Sequence, residues 1–309
     1  MAILKEIYSR CVSISGNIYF FMGLLGIILS IAGNILIRKR ADKRSVTLRD
    51  SARRIAVVTG ASRGLGCGYV RAIARQMDAF DIQELWIIAR NRDKLVALAR
   101  ETGVPCLPIP VDLTSGRSIE VIREMLSTRD YDVRLLINCA GVGNSGTSEQ
   151  IGNRGEQMEI VLNDSVTVAM VQTLLPFMRG GSRIVNIASI AAFQSIPGFN
   201  VYAASKAFVL SYSRGLRSEL ASRGISVTAV CPYWIRDTGF IEHATGEKSA
   251  PFLSKTTDQV VRTSLRAIKG RRRLSTPSIV SFLDLIIGPL LPDIVLSRIA
   301  AAFNLKRKK

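Results

Sequence analysis

The sequence predicts an α/β fold, a doubly wound parallel sheet with helices on both faces. Three observations predict it. Short apolar runs recur through the chain, and they are continuous, as expected of strands buried on both faces. Amphipathic stretches of helical period separate them, the alternation that builds parallel crossover units. A glycine cluster, TGASRGLG at 59–66, stands between the first run and the first helical stretch.

The elements follow in chain order. Residues 1–52 read as a membrane anchor and a basic linker. No charge occurs between Cys11 and Ile37, and 18–37 reads IYFFMGLLGIILSIAGNILI. A helix of that length spans roughly 30 Å, about one hydrocarbon core. RKRADKR at 38–44 follows it, against only Lys5 and Arg10 before it. This charge bias describes a single-pass anchor with the main domain on the cytoplasmic side. A cleaved signal peptide is one alternative, since SIAG at 30–33 resembles a weak cleavage site. A buried helix of the domain is another, which the length disfavours. Gly23, Gly26, Ser30 and Gly33 share one helical face suited to packing on a second helix, although small residues there need no such role.

The domain proper is expected over 53–275. Its strands are RIAVVTG (54–60), ELWIIAR (84–90), CLPIPVDL (106–113), RLLINCAG (134–141), RIVNIAS (183–189) and SVTAVCP (226–232). Helices are expected over 64–77, 91–102, 116–128, 155–178 and 201–222. The irregular segment 233–254 reads as a loop over the site. Helix returns at 256–269, and LSTPS (274–278) is a candidate last edge strand. The tail 276–309 is apolar but interrupted by Asp284, Pro289, Pro292, Asp293 and Arg298. That pattern fits two short helices on a membrane surface better than a span. The alternative is a tail packed on the domain or on a partner subunit.

Lysine and arginine outnumber acids by 42 to 24, a formal charge of +18, which favours anionic partners. The basic runs at 38–44 and 306–309 adjoin apolar stretches, with no aromatic interleaving and no nucleic-acid motif. A membrane lipid surface therefore ranks above nucleic acid. The one histidine, His243, leaves no room for a histidine triad or a histidine-rich metal site. The five cysteines are scattered without a C-x-x-C pair, as in a reduced compartment.

Gly60, Gly64 and Gly66 stand where a chain turns tightly and lets a pyrophosphate approach its backbone, with a helix N-terminus beyond. Gly60, Ser62, Arg63, Gly64, Leu65 and Gly66 form the candidate phosphate cradle. The second strand ends in Ala89 and Arg90, with no acid to hold a ribose 2′-hydroxyl. Arg63 and Arg90 instead suit a 2′-phosphate, which implies NADP(H) rather than NAD(H); solvated surface arginines are the alternative. In VYAASKAF (201–208), Tyr202 and Lys206 are four apart, neighbours on one helical face.

The order T-G-x-x-x-G-x-G, N-x-A-G at 138–141, Ser189, then Tyr202 and Lys206 resembles the short-chain dehydrogenase/reductase family over about 53–275. The resemblance implies a Rossmann-type fold and carries over an active-site tetrad of Asn163, Ser189, Tyr202 and Lys206. It places Asp112 at the adenine, and Leu113, Asn138, Ala140, Gly141, Pro232 and Ile235 among the cofactor-binding positions, with Tyr202 and Lys206. In the family the tyrosine protonates the carbonyl oxygen, the serine hydrogen-bonds it, and the lysine holds the nicotinamide ribose. The asparagine kinks its helix and anchors a relay water. A free phenol titrates near 10, so Lys206 and the nicotinamide charge are expected to lower Tyr202 by about 2–3 pH units.

Two departures stand out. NCAG replaces the usual N-N-A-G, and Cys139 is expected to be a buried small residue. CPYWIRDT (231–238) places Tyr233 and Trp234 where many members have glycine and its neighbour. A similar Pro-Tyr occurs in the branch of membrane-bound hydroxysteroid dehydrogenases and β-ketoacyl-CoA reductases. The aromatics would narrow the pocket and make it more apolar. The residue facing the nicotinamide carboxamide is Thr238 or Asp237. The expectation is an NADPH-dependent carbonyl reductase, or the reverse alcohol dehydrogenase, with a hydrophobic substrate such as a steroid, acyl chain or other lipid. A homo-oligomer is the family expectation. The rivals are a catalytically silent NADP(H)-sensing membrane protein and a membrane adaptor.

Overall fold

The computed structural model describes residues 52–246 and 249–291, together with Arg298. The expected anchor at 18–37 and most of the tail beyond 291 lie outside the described residues.

Seven parallel strands form one sheet: β1 (Arg53–Thr59), β2 (Glu84–Ala89), β3 (Cys106–Pro110), β4 (Tyr131–Asn138), β5 (Arg183–Ile187), β6 (Ser226–Val230) and β7 (Leu274–Ser275). Their spatial order is β3-β2-β1-β4-β5-β6-β7. The winding reverses between β1 and β4, the switch point where crevices open beyond the strand C-termini. The edge strand expected at 274–278 is shorter than its sequence motif and pairs parallel to β6.

Nine helices accompany the sheet among the described residues: α1 (Gly64–Ala74), α2 (Arg92–Thr102), α3 (Gly116–Ser127), α4 (Ser148–Ile160), α5 (Val166–Leu174), α6 (Asn200–Leu220), α7 (Phe240–Thr245), α8 (Thr257–Lys269) and α9 (Ile279–Ile287). One face packs Leu65, Tyr69 and Ile73 of α1, Leu95 and Leu98 of α2, and Val261, Leu265 and Ile268 of α8 on Val58 and Leu85. The other packs Ile122 and Leu126 of α3, Met170 and Leu174 of α5, and Leu216 and Leu220 of α6 on Val57 and Trp86. Both faces are therefore covered, which explains the continuous apolar strands.

A short helical turn starts at Ser148, where Thr147 and Gln150 form a reciprocal capping box; helical geometry breaks at Gly152 (φ +70°), and the helix expected from 155 follows directly. It runs through one π turn, Val161–Ser165, into α5. The run Ser148–Phe177 is long and apolar enough to cross a membrane, yet Val166, Met170, Val171 and Leu174 in its second half pack on the sheet. The segment expected as loop at 233–254 contains the short helix α7. The first part of the tail, α9, packs beside the turn Ile190–Phe193.

Candidate active site

A crevice of about 1420 Å³ opens at the C-terminal ends of the strands and runs from the glycine loop to α9. Gly60 and Gly64 sit at φ +67° and +53°, in the left-handed region that glycine tolerates. Gly66 is needed for close approach: a Cβ there would lie 2.3 Å from the Gly60 carbonyl oxygen. Thr59 ties this turn to the neighbouring loop, its hydroxyl accepting from Cys139 N at 3.0 Å and Ala140 N at 3.1 Å. Gly60, Ser62, Arg63, Gly64, Leu65 and Gly66 all line the crevice.

Beyond β2, Arg90 lines the crevice with Asn91 and Lys94, so that end of the site is cationic. Asp112 and Leu113 line it after β3. The Asp112 carboxylate accepts from Thr114 Oγ1 at 2.8 Å and Thr114 N at 3.0 Å, which holds its pKa below the ordinary value. Ala140, Gly141, Pro232 and Ile235 complete the lining. Asn138 does not reach it. Its side chain turns into the sheet and donates to Asn186 Oδ1 at 2.9 Å, so the expected cofactor contact is replaced by a bond between central strands.

Ser189, Tyr202 and Lys206 line the crevice together. Ser189 follows β5 and accepts from Ala191 N at 3.2 Å, and its hydroxyl is near enough to the Tyr202 phenol to favour phenolate. Lys206 is 6% exposed and donates to the Ile187 carbonyl at 3.1 Å. Asn163 sits in the π turn behind the loop after β4. Its Oδ1 accepts from Val142 N and its Nδ2 donates to Val142 O, both at 2.9 Å, and Nδ2 also donates to Ser205 Oγ. A π turn re-aims a side chain without ending the helix.

Burial pushes the Tyr202 phenol up to about 12; the Ser189 hydroxyl opposes this, and the charge of Glu159 adds to it. Burial lowers the Lys206 pKa, with Cys139, Asp164 and Glu159 opposing. Cys139 is partly buried, packs against the core of one sheet face as expected of a small residue, and also lines the crevice; burial pushes its thiol up to about 12.

The structure separates Thr238 from Asp237. Thr238 lines the crevice, and a Cβ on Gly64 would approach its Cβ to 3.0 Å. Asp237 turns away and accepts from Thr257 N and Thr257 Oγ1, both at 2.8 Å, at the start of α8. Tyr233 and Trp234 line the substrate end. Sequence reasoning missed Phe199 and Phe240, whose rings meet Tyr202 at 5.7 and 5.5 Å between centroids. Trp234 touches both, at 6.0 and 6.3 Å. An aromatic just before Tyr202 and another after the CPYWIRDT segment were the available signals.

A doubly wound sheet whose first turn is a glycine cradle, with cations where a 2′-phosphate would lie and a tyrosine–lysine pair across the crevice, defines a nicotinamide-dependent oxidoreductase. The short chain dehydrogenase family model matches residues 54–248, and the chain belongs to that family. It is a dehydrogenase/reductase acting on CH–OH/C=O groups. It is 30% identical to ketoacyl reductase HetN of Nostoc sp. over 70% of this chain and 75% of that one. It is also 30% identical to 17-beta-hydroxysteroid dehydrogenase type 3 of Danio rerio, over 69% of each. A short-chain dehydrogenase from Sphingobium yanoikuyae, solved in complex with NADPH, superposes with a TM-score of 0.68 and 28% identity, covering 77% of this chain and 93% of that one.

Proposed function

We propose that this chain is a membrane-attached reductase of hydrophobic ketones, such as a steroid, acyl chain or other lipid, or the reverse dehydrogenase. One observation carries the substrate class: the wall beside Tyr202 is built from Phe199, Trp234 and Phe240. An apolar rim supports it: Phe252, which lines the crevice, is 87% exposed, and α9, whose Val280 and Asp284 line the crevice, leaves Ile279, Phe282 and Ile286 exposed. The names of the ketoacyl reductase and hydroxysteroid dehydrogenase relatives favour the same class.

Bound NADPH supplies the hydride. The glycine loop would hold its pyrophosphate, Arg63 and Arg90 the 2′-phosphate, Asp112 and Leu113 the adenine end, and Thr238 the carboxamide. Tyr202 gives its proton to the carbonyl oxygen, and Ser189 steadies that oxygen as charge develops on it. Lys206, whose Nζ would stand 3.4 Å from a Cβ on Gly141, is placed for the ribose hydroxyls. Asn163 holds the loop at Val142.

Residues 1–52 are assigned as anchor and linker, 53–275 as the catalytic domain on the cytoplasmic side, and 276–309 as an apolar tail at the lipid surface. Self-association through the exposed Met158, Ile160, Val161 and Phe208 belongs to the same reading.

Purified full-length protein in detergent, given NADPH and a panel of steroid, β-ketoacyl and other lipid ketones, tests the substrate class. Oxidation of NADPH with long or bulky ketones is expected, and activity confined to small polar ketones overturns it. Carbonate extraction of membranes tests attachment: the full chain should stay in the pellet.

A further inference from the structure

Two consecutive turns of one helix hold the loop that follows β4. Glu159 near the end of α4 and Asn163 in the π turn are four residues apart and share a face. Asn163 clamps Val142 through two hydrogen bonds of 2.9 Å. Glu159 clamps Asn144: its Oε1 accepts from the backbone N–H and from Nδ2, the latter at 2.8 Å. Gly143, between the clamped residues, is pressed on the site. A Cβ there would meet Tyr202 Cδ2 at 2.8 Å and Phe240 Cζ at 2.9 Å. Val142 and Asn144 line the crevice, while Glu159 lies behind them, 1% exposed.

A carboxylate is costly to bury, and an apolar side chain would fill the same space without that cost. Asn144 from the loop bonds it, and the titratable groups that share its electrostatic surroundings are Glu156 from its own helix and Tyr202 and Lys206 from α6. We propose that Glu159 is a positioning residue of this reductase: it holds the Val142–Asn144 loop against the Tyr202 ring and so sets the width of the cleft where a substrate carbonyl meets the phenol. The inference rests on the carbonyl-reductase reading above. Glutamine in its place keeps an acceptor for the Asn144 amide but removes the charge; alanine removes both.

The test compares wild type, Glu159→Gln and Glu159→Ala as full chains in detergent with NADPH and a ketone that the wild type reduces. Glu159→Ala is expected to lower kcat/KM for the ketone about 10- to 100-fold, as displaced reacting groups do, with NADPH binding by fluorescence unchanged. Glu159→Gln is expected to restore most of that loss. Its basic pH limb should also move to lower pH, because removing a neighbouring anion favours phenolate. Hydrogen exchange of the 142–146 amides should quicken in Glu159→Ala and not in Glu159→Gln.

Wild-type turnover and an unmoved pH profile in both variants overturn the proposal. Parallel loss of NADPH binding and turnover in both variants, without rescue by glutamine, overturns it too, since that marks a purely structural residue. A wild type that reduces no ketone sinks the carbonyl-reductase reading instead, and amide exchange alone then decides the Glu159 clamp.

Discussion

The Lys206 ammonium lies 5.6 Å over the ring of Tyr202. It is committed to the Ile187 carbonyl, and the phenol beside it is held protonated by burial, up to about 12. A protonated phenol is the form a proton donor needs. Tyr202→Phe is therefore expected to lower kcat for ketone reduction by about 10²- to 10⁴-fold while NADPH still binds, measured by steady-state rates and fluorescence titration. Tyr202 also contributes to alkaline stability. Its folded pKa lies above the unfolded value, so its contribution is complete below about pH 10 and is lost as pH rises toward about 12. Urea midpoints should fall over that window in wild type and less in Tyr202→Phe.

Arg63, in the loop after β1, and Arg90, just after β2, both line the crevice. A charge-assisted hydrogen bond contributes about 1.5–3 kcal/mol, so Arg90→Ala should reduce kcat/KM for NADPH about 10- to 100-fold. Placing an acid at the end of β2, Ala89→Asp with Arg90→Ala, should raise relative use of NADH. An unchanged NADPH/NADH ratio would remove the 2′-phosphate assignment.

Thr238 and Asp237 are adjacent in sequence but serve different neighbours. Asp237→Ala deletes the carboxylate bonded to the first residue of α8 and should cost about 1 kcal/mol of stability, with little change in KM for NADPH. Thr238→Ala should do the reverse, raising KM for NADPH at nearly constant denaturation midpoint. Paired kinetic and urea measurements check the split.

Asp164 carries its charge at a cost. Burial raises its pKa to about 6, and the Lys206 charge opposes the shift. The folded state thus holds the proton more tightly than the unfolded chain, and stability falls as pH rises from about 4 to about 6. Asp164→Asn should raise the urea midpoint at about pH 8 and change it little at about pH 4. Equal effects at both pH values would contradict the burial origin.

Much of the fold was legible because its signals are local. Continuous Val and Ile runs mark strands covered on both faces, and Gly60 and Gly64 mark turns through backbone angles their neighbours could not adopt. Tyr202 and Lys206 are held together by helical period alone. The capped turn before the Gly152 break was also locally encoded, by Thr147 and Gln150, and was missed because the apolar period begins only after it. The Asn138 contact with Asn186 was not legible, since the two residues are 48 apart in sequence. Nor was the Glu159–Asn144 clamp, because an acid among helical residues reads as a solvated face until the loop after β4 closes over it.

The sequence by itself determined the strand–helix order, the glycine cradle, the cationic end of the crevice and the residue pair one helical turn apart. Each depends on backbone angles, side-chain period or charge within a few residues. Only the tertiary structure decided that Thr238 rather than Asp237 faces the glycine loop, that Asn138 serves the sheet, and that Tyr202 is walled by Phe199 and Phe240. It also decided the proton affinity of that phenol, because desolvation comes from rings and loops packed around it, and their meeting is set by the whole fold.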